Sequence, residues 1–212
     1  MVLPLPADST DQAPPPPPSP APTGHTRSTT QVVVEWGVIL VVAVLAAILI
    51  RTFVVQPFFI PSGSMEPTLM VNDRVLVNKL SYDFHSVHRG DIVVFKKPAD
   101  DTTPGITDLV KRVIGLPGET ISAQNGHVYI NGQQLKEPWL PNGVATGQFP
   151  SSIPGCLPAP AGACLIPSGD YFMMGDNRGD SADSRIIGPV PGKLFIGRVF
   201  VRVWPLSRLG WL

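Results

Sequence analysis

Residues 125–132 read NGHVYING, and this octet decides the fold class. Asn-Gly suits the two left-handed positions of a type I′ turn, whose twist matches that of paired strands. Such pairs at Asn125-Gly126 and Asn131-Gly132 bracket HVYI, so the octet predicts a strand with a tight hairpin at each end. Outward from it the same punctuation continues. Strand-like runs occur at RVLVNKL (74–80), DIVVF (91–95), DLVKRVI (108–114) and GRVFVRVW (197–204). The last alternates, with Val199, Val201 and Val203 on one face and Arg198, Phe200, Arg202 and Trp204 on the other. No long amphipathic helical pattern and no internal repeat is visible downstream of residue 56. Residues 57–212 therefore read as one β-rich domain of 156 residues, enough for its own core. Residues 141–168, with six prolines and both cysteines, read as a loop or small subdomain rather than core.

Upstream the composition changes twice. Residues 32–50, VVVEWGVILVVAVLAAILI, hold a single charge, Glu35. At about 1.5 Å per residue they span roughly 28 Å, close to a bilayer's hydrocarbon thickness. A buried core helix is the alternative, but such a helix rarely lacks a polar position over four turns. The stretch reads as an uncleaved anchor over 32–56, since no A-x-A site follows it and a long Pro-rich region precedes it. Arg27 and Arg51 flank it on opposite sides, so the positive-inside rule gives no orientation. Residues 1–31 contain APPPPPSPAP (13–22) and little apolar bulk, and they read as a disordered, polyproline-type tail.

Sixteen basic and sixteen acidic residues balance, which removes the general electrostatic case for nucleic acid. Two cysteines, Cys156 and Cys164, are too few for a disulfide-rich scaffold or a cysteine-ligated zinc site.

Three stretches carry candidate chemistry. In QPFFIPSGSMEPTL (56–69), Pro57, Pro61 and Pro67 enforce extended or turn geometry, and Gly63 permits a bend exposing Ser62 and Ser64. A nucleophilic serine needs a base and an oxyanion donor beside it; alone, Ser-Gly-Ser is only a turn. There is no G-x-S-x-G elbow and no S-x-x-K pair. His25, His85, His88 and His127 lie in polar, loop-like surroundings and read as surface histidines. In DLVKRVIGLPGE (108–119), alternation puts Leu109, Lys111 and Val113 on one face and Val110, Arg112 and Ile114 on the other. Both faces are apolar, so one cation must sit among hydrophobic neighbours. Burial lowers a lysine's pKa whereas arginine stays charged, which makes Lys111 a candidate base. A snorkelling lysine at a strand end is the alternative. The third stretch, YFMMGDNRGDSADSR (171–185), reads as a polar loop and fails the EF-hand pattern. The Arg-Gly-Asp tripeptides at 89–91 and 178–180 are chance matches.

Taken together, an anchor followed by IPSGSMEPTL (60–69), GDIVVF (90–95), VKRVIGLPGE (110–119) and GDNRGDSADSR (175–185) resembles the bacterial type I signal peptidases. The resemblance covers roughly residues 56–204, broken by 141–168. It implies a mainly β, two-lobed catalytic domain after one transmembrane helix, without metal or cofactor. Ser64 corresponds to the nucleophile and Lys111 to the general base of a Ser/Lys dyad. Ser62 corresponds to a hydroxyl that joins the Ser64 N–H in the oxyanion hole. Ser181 corresponds to a serine orienting the lysine, and Asp183 and Arg185 to an ion pair supporting that loop. Phe58, Ile60 and Pro61, with Asp108, Leu109 and Val110, correspond to two extended segments gripping a preprotein as an added strand, with small residues at −3 and −1. The resemblance further implies a bacterial cytoplasmic membrane location, a cytoplasmic N-terminus, an extracytoplasmic 57–212 domain, and the bilayer and secretion translocon as partners. That oxidising side permits a Cys156–Cys164 disulfide, with two reduced thiols as the alternative. Rival readings are the self-cleaving repressors, which carry a DNA-binding region instead of an anchor, and a catalytically silent, anchored β module.

Overall fold

A computed structural model of the chain describes residues 28–98 and 107–212. The expected Pro-rich tail lies outside the described residues except for its last four, and His25 lies outside them too. Helix α1 spans Thr29–Phe53 and begins earlier than the anchor expected from hydropathy. The reason is local: the Gln31 side chain accepts the Ser28 N–H at 3.3 Å, half of a capping box that starts the helix at Thr29. Its apolar side chains, Trp36, Leu40 and Ile48 among them, are exposed around the whole circumference. It is the one helix among the described residues long and apolar enough to cross a bilayer. The expected anchor boundary at 56 is corrected: the last helical bond runs from Val54 N–H to Ile50 O, and a strand begins at Val55. Pro57 cannot donate a helical hydrogen bond and disfavours helix at the residue before it, which agrees with the switch, and pairing with β2 holds the extended segment.

Twelve strands follow among the described residues: β1 Val55–Phe59, β2 Arg74–Asn78, β3 Ile92–Lys96, β4 Asp108–Gly115, β5 Thr120–Gln124, β6 His127–Ile130, β7 Gln133–Gln134, β8 Ala163–Leu165, β9 Asp170–Met174, β10 Val190–Pro191, β11 Phe195–Trp204 and β12 Gly210–Trp211. Among the described residues two four-residue α-helices, α2 Ser81–Phe84 and α3 Ser184–Ile187, and three short 3₁₀ turns interrupt them. The strands form two sheets, giving the mainly β, two-lobed body. One runs β1-β2-β11-β3-β4-β9-β10 with β12 attached to β11; the other runs β7-β6-β5-β8. The hairpins at β5-β6 and β6-β7 turn at Asn125-Gly126 and Asn131-Gly132, all four residues with positive φ.

Two expectations need correction. The strict alternation of β11 is broken by register shifts against β2 between Val199 and Val201 and between Arg202 and Trp204, where an extra residue on one strand turns the side chains that follow to the other face. Residues 141–168 are not merely a loop. Phe149, Ile153, Cys164 and Ile166 are buried with Ile121, Val128 and Phe172 in the core of the smaller lobe. That lobe has four short strands and cannot close a core with their side chains alone, so the Pro-rich segment supplies the missing apolar volume. The rings of Phe149 and Phe172 stack at 5.4 Å, joining the segment to β9.

Candidate active site

Ser64 lies in a 3₁₀ turn, Gly63–Met65, just beyond edge strand β1. Met65 and Leu69 are fully buried and pin the turn to the core under β2 and β3. On its other side the turn is held by the 175–185 loop. The Asn177 N–H donates to Ser64 O at 3.1 Å, and Asn177 Nδ2 donates to Gly63 O at 3.2 Å. Gly175 makes this approach possible, since a methyl group there would overlap both Ser64 O and Ser181 Oγ. Ser62 is extended and exposed, and its side chain does not cap the turn, so its hydroxyl is left for other use.

Lys111 comes from β4 and is 3% exposed. Its Nζ donates to Ser64 Oγ at 2.6 Å, across 47 residues of sequence. Burial pulls the amine down from its ordinary 10.5 to about 8. Asp183 opposes that effect, Arg185 assists it, and Asp176 and Asp180 oppose it further. The expectation of a single buried cation is corrected, because Arg112 is as buried as its neighbour. It survives there as an ion by being fully engaged: Nε and Nη2 donate to Asp176 at 2.9 and 2.6 Å, and Nη1 donates to Gly90 O at 2.7 Å. Trp139 stacks on it, 5.1 Å from ring centroid to guanidinium. The second Asp176 oxygen also accepts Thr68 Oγ1 at 2.5 Å, tying this pair to the serine segment.

Asp183 and Arg185 form a bidentate pair, both bonds at 2.8 Å. Asp183 also caps α3 through the Arg185 N–H and accepts the Gly175 N–H at 3.0 Å. Ser181 departs from expectation. Its Oγ is buried beside Gly175 without a hydrogen-bond partner among the described residues, and the bond that the Lys111 amine makes is to Ser64.

A cavity of about 270 Å³ opens beside the Ser64–Lys111 pair, and its walls include Phe58, Ile60, Pro61, Ser62, Asp108, Leu109 and Val110. Two open strand edges flank it. Among the described residues β1 has only β2 as a neighbour, and β9 pairs with β4 only at Arg112, Val113 and Gly115, leaving Asp108–Val110 unpaired on that side. Ile60 is an exception among these lining residues. Its N–H and C=O are engaged by Asp73 and Asn72 and its side chain is buried, so the open edge is carried by its neighbours. His85, His88 and His127 do not line this cavity.

Sequence reasoning missed Thr68, Asp176, Asn177 and the Arg178–Glu137 pair. Asp176 and Asn177 sit inside the stretch already singled out. Glu137, which with Thr146 receives the buried Arg178 guanidinium, carries no local signal. The Arg-Gly-Asp at 178–180 is thus a structural element, as is that at 89–91, where Arg89 pairs with Glu119 at 2.6 Å. Cys156 and Cys164 are joined by a disulfide.

The family model described as "Signal peptidase, peptidase S26" matches residues 33–204. The chain belongs to the signal peptidase, peptidase S26, family. A Synechocystis protein named "Probable signal peptidase I-2" is 40% identical over 179 residues, covering 84% of this chain and 76% of that protein. "Signal peptidase I" of Leptolyngbya laminosa is 43% identical over 171 residues, covering 79% and 78%. "Signal peptidase I" of Mycobacterium tuberculosis is 36% identical over 219 residues, covering 83% and 74%. Membership makes the chain a peptidase, and the match includes both the Ser64 turn and the 175–185 loop.

Proposed function

We propose that the chain is a membrane-anchored serine endopeptidase that removes N-terminal signal peptides from exported preproteins after small residues at −3 and −1. The observation that carries this reading is the 2.6 Å contact between Lys111 Nζ and Ser64 Oγ, with the amine buried and held near 8. A neutral Lys111 takes the Ser64 proton as Oγ attacks the scissile carbonyl carbon. The Ser64 N–H and Ser62 hydroxyl stabilise the oxyanion. The ammonium returns the proton to the departing amine as the C–N bond breaks, and Lys111 then activates the water that hydrolyses the ester. The unpartnered Ser181 hydroxyl is the acceptor held in reserve for the transient ammonium, and the Asp183–Arg185 pair keeps its loop in place.

The substrate adds as a strand between β1 and the open half of β4, contacting Phe58, Pro61, Asp108, Leu109 and Val110 while Ile60 supports the wall from beneath. In this reading α1 crosses the bacterial cytoplasmic membrane once, the N-terminal tail is cytoplasmic, and the β-rich body lies outside, near the translocon that delivers preproteins. The test is cleavage of a fluorogenic peptide with Ala at −1 and −3 by the intact chain in detergent. Loss of turnover when either Ala becomes Leu is expected. Equal turnover of both peptides, or none of either, would sink the reading.

A further inference from the structure

A second cavity, of about 420 Å³, is built around Tyr82, His88, Asp91 and Arg198, with Val54 on its wall, and shares no residue with the Ser64 cavity. We propose that it binds the anionic phosphodiester headgroup of a membrane lipid. This rests on the reading of α1 as a membrane span.

Depth is the first argument. The apolar stretch of α1 ends at Ile50, and Val54 follows four residues later, about 6 Å further along the helix. A bilayer is roughly 30 Å of hydrocarbon within 40–45 Å overall, so each headgroup layer is about 5–8 Å thick. A cavity with Val54 in its wall therefore opens at headgroup level.

The lining is the second argument. Asp91 is the cavity's one carboxylate among the described residues, and its acceptors are occupied by the His88 N–H at 3.0 Å, Tyr82 Oη at 3.3 Å and Arg198 Nε at 3.1 Å. Those contacts fix the Arg198 guanidinium in place, while the arginine side chain remains 46% exposed. A guanidinium held at its Nε presents the planar fork that suits phosphate oxygens. Around it, His85, His88, Ser81, Ser86 and Asn78 offer further donors. Leu80 and Phe84 provide an apolar rim, and Phe84 is 75% exposed, as fits a ring lying against a lipid's glycerol and upper chain. The Ser64 mechanism uses none of these residues.

The experiment uses the intact chain in nanodiscs of phosphatidylcholine doped with phosphatidylglycerol, released into native mass spectrometry to count retained lipids. Wild type is expected to retain one phosphatidylglycerol in preference to phosphatidylcholine. Arg198→Gln should lower that retention about tenfold, the loss of one charge-assisted bond. His85→Glu, at an exposed position that leaves the Asp91–Arg198 contact intact, should lower it similarly. Equal retention by wild type and both variants overturns the proposal. So does displacement of the lipid from wild type by millimolar inorganic phosphate, which would make the cavity a free-anion site. Flotation with liposomes tests the span separately. Failure to float would overturn both readings, whereas flotation with unselective retention would overturn the pocket alone.

Discussion

Arg112 and Asp176 form a bidentate ion pair with almost no solvent access, one residue along β4 from the lysine that contacts Ser64. The pair joins β4 to the end of β9, and through Thr68 it also joins both to the serine segment. Its place explains how two adjacent cations share a buried strand. Asp176 neutralises one and leaves the other to respond to burial.

Removing Asp176 should therefore be costly. Asp176→Ala strands a buried guanidinium, and the expected loss is about 3–5 kcal/mol. Chemical denaturation of the detergent-solubilised chain measures it. A loss below about 1 kcal/mol would show that Arg112 finds water or another acceptor.

Ser64→Ala and Lys111→Ala should each abolish cleavage of the Ala-x-Ala peptide while leaving the melting transition cooperative. Lys111→Arg should be equally inactive, because a guanidinium does not act as a neutral base. Ser62→Ala should lower kcat roughly 10²–10³-fold with little change in KM, as expected for one oxyanion donor. Near-normal turnover in either dyad variant would contradict the assignment.

The pH profile follows from the lysine. The neutral, competent form grows as pH rises through about 8, so kcat/KM should climb along one basic limb centred there rather than at 10.5. Arg185→Gln removes a cation that helps depress Lys111 and frees the Asp183 charge that opposes it. The limb should then move upward and activity at pH 7 should fall. A midpoint near 6.5, or one unmoved by the substitution, would contradict this electrostatic account.

The same depressed value has a stability signature. Between about 8 and 10.5 the unfolded chain binds a proton at Lys111 that the folded chain does not, so the lysine's cost to stability is largest below 8 and fades as pH rises to 10.5. That cost is on the order of 3 kcal/mol. Lys111→Met should therefore stabilise the chain at pH 7 and confer much less above pH 10.5. Paired denaturation curves at the two pH values decide it, and a pH-independent gain would point to packing instead.

Replacing both Cys156 and Cys164 with Ala opens a loop of eight residues' separation. Loop-closure entropy sets the expected loss at roughly 2–3 kcal/mol. Cys164 is fully buried among Ile121, Phe149 and Phe172, so packing loss adds to it. Calorimetry of the double variant against the oxidised parent gives the value.

Much of the body was legible because its signals are local. Asn-Gly pairs demand positive φ, prolines end helices, and short β-branched runs form strands. The Ser64–Lys111 contact was legible only through the ordered motifs, because alternation cannot say what lies 47 residues away. Two readings failed for physical reasons. Alternation predicts one buried cation on β4 and not two, because a sequence does not show the partner, Asp176, that makes the Arg112 charge tolerable away from water. The stretch holding Phe149, Ile153 and Ile166 reads as a loop or small subdomain rather than core, because prolines break regular structure without making a segment exposed. Gln31 shifted the helix start by bonding to Ser28, a contact that hydropathy does not register.

The larger sheet places β2 between β1 and β11, so the strand next to the serine turn is completed by residues 195–204, more than a hundred positions later. The loop that grips the turn, at Asn177, is nearly as late. Such distant pairing closes slowly and only after the intervening chain exists. During synthesis, a growing chain that has exposed Ser64 and even Lys111 still lacks the strand and the loop that hold them. A chain cut short before residue 195 is therefore expected to carry the Ser64 turn without the strand that completes its sheet.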